Sequence, residues 1–186
     1  MPKNDAHLAV YLDTFPDHRV AVIGDLMLDR YVWGEASRIS QEAPVPVVHV
    51  YKETEVPGGA ANVINNLLAL TAHAGAFGVV GQDSHGEQLL QLLRDAGADT
   101  VGTAVLADRP TTVKTRVVAN KQQIVRIDAE RVDPLPAAVT ETICQQLMAA
   151  LAADQYDAVI FEDYAKGMLT ADLMQNLVNA ASQRNI

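Results

Sequence analysis

Val56-Pro57-Gly58-Gly59-Ala60-Ala61-Asn62-Val63-Ile64-Asn65-Asn66-Leu67-Leu68 is where the fold begins to declare itself. A proline and two glycines give way at once to apolar residues at helical spacing, Val63, Leu67 and Leu70. That spacing predicts a loop that feeds a helix N-terminus. Paired glycines remove Cβ atoms and let a ligand approach the backbone. First-turn amides and the helix dipole then favour an anion or a sugar oxygen. Asn62 adds a side-chain acceptor and two donors at the same place. A plain loop-to-helix junction would use the same residues, so this stretch opens a question that the flanking sequence has to answer.

Upstream, Arg19-Val20-Ala21-Val22-Ile23-Gly24-Asp25 is a continuous apolar run, the mark of a strand buried on both faces. A short lead-in helix is expected over 6–15. Downstream, strands are expected at 74–80, near 99–106 and at 156–161, separated by helices over 84–96, 137–153 and from Thr170 to about Gln183. Ser84 and Glu87 stand three apart, a capping-box spacing, and Gly97 suits the helix end. Parallel βαβ units gather their loops at the C-terminal strand edge, so Gly24/Asp25, Gly81/Asp83 and Glu162/Asp163 are expected on one rim.

Two stretches break this rhythm. Residues 32–56 hold the only Trp, Trp33, and a strand-like Val45–Tyr51 with two prolines at its start. Thr111–Ala119 and Gln122–Asp128 alternate around Asn120-Lys121, which reads as a β-hairpin. The expected organisation is an α/β core of 1–31, 57–108 and 132–186, with 32–56 and 109–131 pairing into a small β lid over the rim.

The chain has 186 residues, 49% apolar and 20% charged, with one cysteine and a formal net charge of −9. Such a chain buries roughly 70% of its unfolded surface and needs no staples. A lone Cys144 excludes an internal disulfide framework and reads as a structural thiol. The negative charge argues against nucleic acid and acidic membranes as partners. No signal-peptide-like or membrane-spanning apolar run occurs, so a cytoplasmic location is expected.

Asp29, just past the first strand, lies within reach of the Gly58-Gly59 element and forms with Asn62 a pair able to grip hydroxyls; capping a loop is its other reading. In the hairpin, period two puts Thr112, Lys114 and Arg116 on one face, with Arg126 on the return strand. Cations on a sheet over a rim suit a phosphate, while an ordinary solvent face would look the same. Asp163 and Lys166 follow a buried strand at the edge where a carboxylate holds hydrated Mg2+ and a lysine meets phosphate, or where either is simply solvated. The five histidines show no metal-ligand spacing. A P-loop pattern is absent, and no Gly-x-Gly-x-x-Gly follows the first strand, which weakens a dehydrogenase reading.

Val22-Ile23-Gly24-Asp25 with Asp29, Pro57-Gly58-Gly59-Ala60-Ala61-Asn62, Gly78-Val79-Val80-Gly81-Gln82-Asp83 with Gly86, and Leu93-Arg94-Asp95-Ala96-Gly97-Ala98 together resemble the N-terminal half of the ribokinase-like (pfkB) carbohydrate kinases. Four further stretches resemble the heptose-phosphate kinase branch of that family. They are Gly24–Gly34, Arg38–Val47, Gln122–Asp128 and Asp163-Tyr164-Ala165-Lys166-Gly167. The resemblance implies a three-layer α/β/α core with a mostly parallel sheet, and a β lid that forms a homodimer contact. It implies transfer of phosphate from ATP, with Mg2+, to a sugar phosphate. By motif position Asp29, Gly58, Gly59 and Asn62 would hold sugar hydroxyls, and Lys114, Arg116 and Arg126 the substrate's phosphate. The family's base lies in a Gly-Ala-Gly-Asp segment preceded by a magnesium-linked Asn-x-x-Glu, and neither pattern occurs in these 186 residues. The expectation is a C-terminally truncated domain, inactive alone, with an unpaired sheet edge. Another sugar kinase, or a non-catalytic sugar-phosphate-binding module, are the competing readings.

Overall fold

A computed structural model describes residues 11–184 and 186. Residues 6–10 of the expected lead-in helix lie outside the described residues, and a short 3-10 turn, Phe15–Asp17, precedes the first strand.

The apolar run becomes β1 (Arg19–Gly24), flanked on both edges by parallel neighbours. With β4 (His73–Gly81), β5 (Thr103–Leu106) and β8 (Ala158–Glu162) it forms a sheet of order β5-β4-β1-β8. Alternation along β1 explains why every residue could be apolar. Val20 and Val22 face one core, shared with Ile64 of helix α1 (Ala60–Ala69) and with Leu89 and Leu93 of α2 (Ser84–Asp95). Ala21 and Ile23 face a second core, with Ile143, Leu147 and Leu151 of α3 (Ala137–Ala152) and Leu173 and Leu177 of α4 (Ala171–Ser182). Helices therefore cover both sides, the three-layer α/β/α arrangement expected. Thr170 caps α4 by accepting from the Leu173 amide, as its position suggested.

The second sheet has order β3-β2-β6-β7, from β2 (Leu26–Ile39), β3 (Pro46–Gly59), β6 (Thr112–Ala119) and β7 (Gln122–Ala129). Asn120 and Lys121 both take positive φ, 52° and 67°, as a two-residue hairpin turn requires. The strands β2 and β3 run well beyond the 32–56 stretch, so Asp29, Gly58 and Gly59 belong to this sheet and not to the first one. Their mixed charges and two bulges, at Trp33/Gly34 and Ala36/Arg38, hide the length of the strands from a periodicity reading. The supposed glycine loop is corrected likewise: Pro57, Gly58 and Gly59 pair with Leu28, Met27 and Leu26 as the end of β3. Proline is tolerated there because β3 is an edge strand.

The capping-box reading of Ser84 is also corrected. Asp83 is the N-cap of α2, its Oδ1 accepting from the Gly86 amide at 2.8 Å. Asp83 does more than cap: Oδ1 accepts from the Thr111 hydroxyl and Oδ2 from the Thr111 amide, both at 2.8 Å, while that hydroxyl accepts from the Gly81 amide. The first sheet's rim is thereby tied to the start of β6. Gly97, at φ 95°, ends α2 as expected.

Burial alone would push the Asp83 carboxyl up, but the Thr111 and Gly86 amides and the Thr111 hydroxyl outweigh it and hold it below its ordinary value of 3.8. A depressed folded-state value adds stability above 3.8 that disappears as pH falls through the folded value. Asp83→Asn is expected to cost roughly 1–2 kcal/mol at pH 7. It should also flatten the loss of stability below about pH 4. Urea melts across pH check both; parallel pH profiles for the two proteins would refute the assignment.

Candidate functional site

The site is assembled where the chain leaves the first sheet. Asp25, 4% exposed, sits between β1 and β2. Its amide donates to Glu162 O, its carbonyl accepts from the Ala60 amide at the start of α1, and its Oδ2 accepts from the amides of Tyr164 and Lys166 at 2.8 and 3.1 Å. One residue thus fixes the helix behind the glycines and the loop after β8 at a common point.

Gly59 takes φ 55°, and a Cβ there would stand 2.5 Å from Asp25 O. A Cβ on Gly58 would stand 2.8 Å from Asp29 Oδ2. The glycines are required because two chain segments close on them, and one of those is the Asp29 carboxylate. The Asp29 carboxylate thus lies against Gly58, while Gly59 closes on Asp25 and Met27. Asn62 lies in the first turn of α1 with its side chain exposed.

Lys114, Arg116 and Arg126 share one face of the second sheet: Lys114 pairs in register with Asp29 and Asp128, and Arg116 with Tyr31 and Arg126. Each meets a carboxylate. Arg116 Nη1 donates to Asp29 Oδ1 at 2.6 Å, and its guanidinium lies 5.3 Å from the Tyr31 ring centroid. Lys114 contacts Asp128 at 3.4 Å and Glu130 at 3.3 Å. Arg126 donates to Asp128 at 2.9 Å but is 52% exposed, against 13% for Lys114 and 22% for Arg116. Lys166 reaches over from the loop after β8 to Glu130 at 2.8 Å. Arg126, Asp128, Lys114, Glu130 and Lys166 form one continuous chain of ion pairs, and the Arg116–Asp29 pair lies beside it in the sheet register, so the array holds four cations and three carboxylates. The Asp29 hydrogen bond is the main cause raising the Arg116 guanidinium. The Lys166 hydrogen bond is the main cause holding the Glu130 carboxyl below its usual range.

Sequence reasoning missed four participants. Asp128 and Glu130 carry a readable signal, since they follow Arg126 at period two. Tyr164, whose phenol is raised by burial and then by the carboxylates of Glu162 and Asp29, carries none. Nor does Arg109, 9% exposed, which donates to the carbonyls of Arg131, Asp133 and Lys166. Asp163 is exposed, with Oδ1 accepting from the Ala165 amide. Among the described residues no group of three or more His, Cys, Asp or Glu is placed to hold a metal ion. A cavity of about 610 Å3 between α3 and α4 shares no lining residue with this array. Half-buried Cys144 lines it, its thiol pushed up by burial.

The sequence pattern described as pfkB family carbohydrate kinase matches residues 17–182. The chain belongs to the pfkB family of carbohydrate kinases. Among curated proteins, bifunctional protein HldE of Sulfurimonas denitrificans is 44% identical over 168 residues, which is 90% of this chain and 35% of that protein. HldE of Magnetococcus marinus is 45% identical over 173 residues, 92% of this chain and 36% of that protein. The chain spans about a third of the length of these relatives. A crystal structure of phosphofructokinase-2 from Escherichia coli in complex with fructose-6-phosphate shares the fold, with TM-score 0.65 and 17% identity over 89% of this chain and 52% of that one. Among the described residues of this pfkB chain no helix is long and apolar enough to cross a membrane.

Gly59→Ala is expected to destabilise the chain by roughly 2–4 kcal/mol, because it combines a left-handed backbone with a clash against a fixed carbonyl. Gly58→Ala should cost less and act on Asp29 instead. Denaturant unfolding of both variants is the check, and a Gly59 variant as stable as wild type would contradict the geometry.

Proposed function

We propose that this chain is the sugar-binding half of an ATP-dependent kinase that phosphorylates D-glycero-β-D-manno-heptose 7-phosphate at its 1-position, a cytoplasmic step of ADP-heptose and lipopolysaccharide core synthesis. The observation that carries this reading is the meeting of Asp29 with Arg116 beside Gly58, at the edge of the four-cation array. A carboxylate with one oxygen held by a guanidinium and the other against a glycine is oriented to accept from sugar hydroxyls. Asn62, exposed in the first turn of the helix that follows Gly59, offers both donors and an acceptor. Lys114, Arg116, Arg126 and Lys166 supply the charge for a phosphate. The identity to the HldE proteins supports the choice of heptose over other sugars.

In this reading ATP and Mg2+ serve the full-length enzyme. Gly-Ala-Gly-Asp and Asn-x-x-Glu are absent from these 186 residues. What the present residues contribute is the acceptor side: they bind the sugar, orient its hydroxyls and neutralise its phosphate. Phosphoryl transfer depends on positioning and charge neutralisation around the transferred group, so this half alone turns over no ATP.

The second sheet, in the same proposal, acts as the lid and as the contact of a homodimer. Its other face carries Val32, Val117, Val125 and Ile127 in adjoining registers, and Val125 and Ile127 are 46% and 55% exposed. An apolar patch of this kind on a sheet suits a second copy of itself.

Calorimetry with the heptose 7-phosphate and no nucleotide should give saturable binding. Arg116→Ala also releases Asp29 and should weaken both sugars, whereas alanine at Lys114 or Arg126 should weaken heptose 7-phosphate roughly 10–100-fold, the effect of losing a charge-assisted contact, with little change for unphosphorylated heptose. Equal losses for both sugars at Lys114 or Arg126 would point to a kinase whose substrate lacks a phosphate. ATP consumption near that of intact sugar kinases would overturn the proposed inactivity. Ile127→Lys should shift sedimentation from dimer to monomer, and an unshifted dimer would remove the lid contact.

A further inference from the structure

Glu130 stands at the junction of the two sheets and belongs to no strand, being the first residue after β7. Its carboxylate bridges two ammonium groups, with Oε1 2.8 Å from Lys166 Nζ and Oε2 3.3 Å from Lys114 Nζ. All three side chains are largely withdrawn from solvent, at 18%, 16% and 13% exposure. A carboxylate that gives one oxygen to each of two lysines does what two oxygens of a phosphate would do in the same place.

The two lysines do not depend on Glu130 for their positions. The amide of Lys166 is held by Asp25 Oδ2 and its carbonyl by buried Arg109. Lys114 lies within β6, paired with β2 on one side and β7 on the other, and Asp128 remains on its ammonium. The seat is built from two anchored cations, while its present occupant is a side chain with rotatable bonds at a strand end.

We infer that Glu130 is a built-in stand-in for the ligand's anion, filling the seat between Lys114 and Lys166 until a phosphate-class dianion displaces it. The inference rests on the sugar-phosphate reading of the site and adds how that site is kept closed. Within the array the displaced state needs extra negative charge, because four cations would then face only Asp29 and Asp128. A phosphate monoester near neutral pH carries almost two charges and three acceptor oxygens, so it competes with a carboxylate. A neutral sugar brings nothing to the contest. The seat therefore discriminates by charge before any hydroxyl is read.

The test is phosphate titration at fixed ionic strength, with chloride as control, followed by calorimetry. Glu130→Gln should bind inorganic phosphate about tenfold more tightly than wild type, since it removes the competing charge. Adding Lys166→Ala to that variant should abolish the gain. A simple strut between the sheets would lower the melting temperature of Glu130→Gln and leave phosphate affinity unchanged, which overturns the inference. If that variant does not fold, the wild-type protein still decides. With 13C-labelled glutamate carboxyls, the Glu130 signal should move toward that of solvent-exposed glutamates as phosphate is added, and a static signal at saturation refutes displacement. The heptose arm separates the two readings. Tighter inorganic phosphate with no preference for heptose 7-phosphate keeps the seat and removes the heptose assignment. Selective heptose 7-phosphate binding that ignores Glu130→Gln keeps the assignment and removes the seat.

Discussion

The buried carboxylate of Asp25 is the constraint on which the rest is hung. A carboxyl group only 4% exposed is costly to bury unless it is hydrogen-bonded, and here two amides of the loop after β8 donate to its Oδ2. The same residue's carbonyl holds the first amide of α1 and its own amide reaches Glu162. Remove those bonds and the glycine pair, the loop with Lys166 and the root of β2 lose their common reference.

From that anchor the chemistry follows by register. Asp29 is four residues on, Lys114 is its partner across β2 and β6, and Asp128 is Lys114's partner across β6 and β7. A sheet places opposed residues on the same side, so charges of both signs alternate across three strands, β2, β6 and β7. Close contact with carboxylates keeps long cationic side chains ordered, which lowers the entropy lost when an anion arrives. It also explains how a chain of net charge −9 keeps four cations together without drawing in stray anions.

Much of this was legible beforehand, and the failures are instructive. β1 is readable because a strand covered on both faces has no reason to alternate. The hairpin is readable because Asn120 and Lys121 interrupt two alternating runs. The lengths of β2 and β3 are not readable, since their outer halves are solvated on both faces and broken by bulges, and no single period survives. The Ser84/Glu87 spacing misleads because Asp83, one residue earlier, has a tertiary partner in Thr111 that no local pattern records. Arg109 fails for the same reason: its carbonyl acceptors lie at Arg131, Asp133 and Lys166, distant in sequence and adjacent only after folding. Local chemistry writes the elements, while pairings across long loops write the site.

The stacking of Tyr31 on Trp33 has one more consequence. The rings lie 5.7 Å apart and the indole donates to the Thr54 hydroxyl, while Arg116 sits against the far member of the pair. Since this is the chain's single tryptophan, its emission arises wholly from one strand, two residues from Tyr31 and four from Asp29. The molecule thus carries an intrinsic fluorophore wired to its guanidinium, an optical gauge of the array that needs no label.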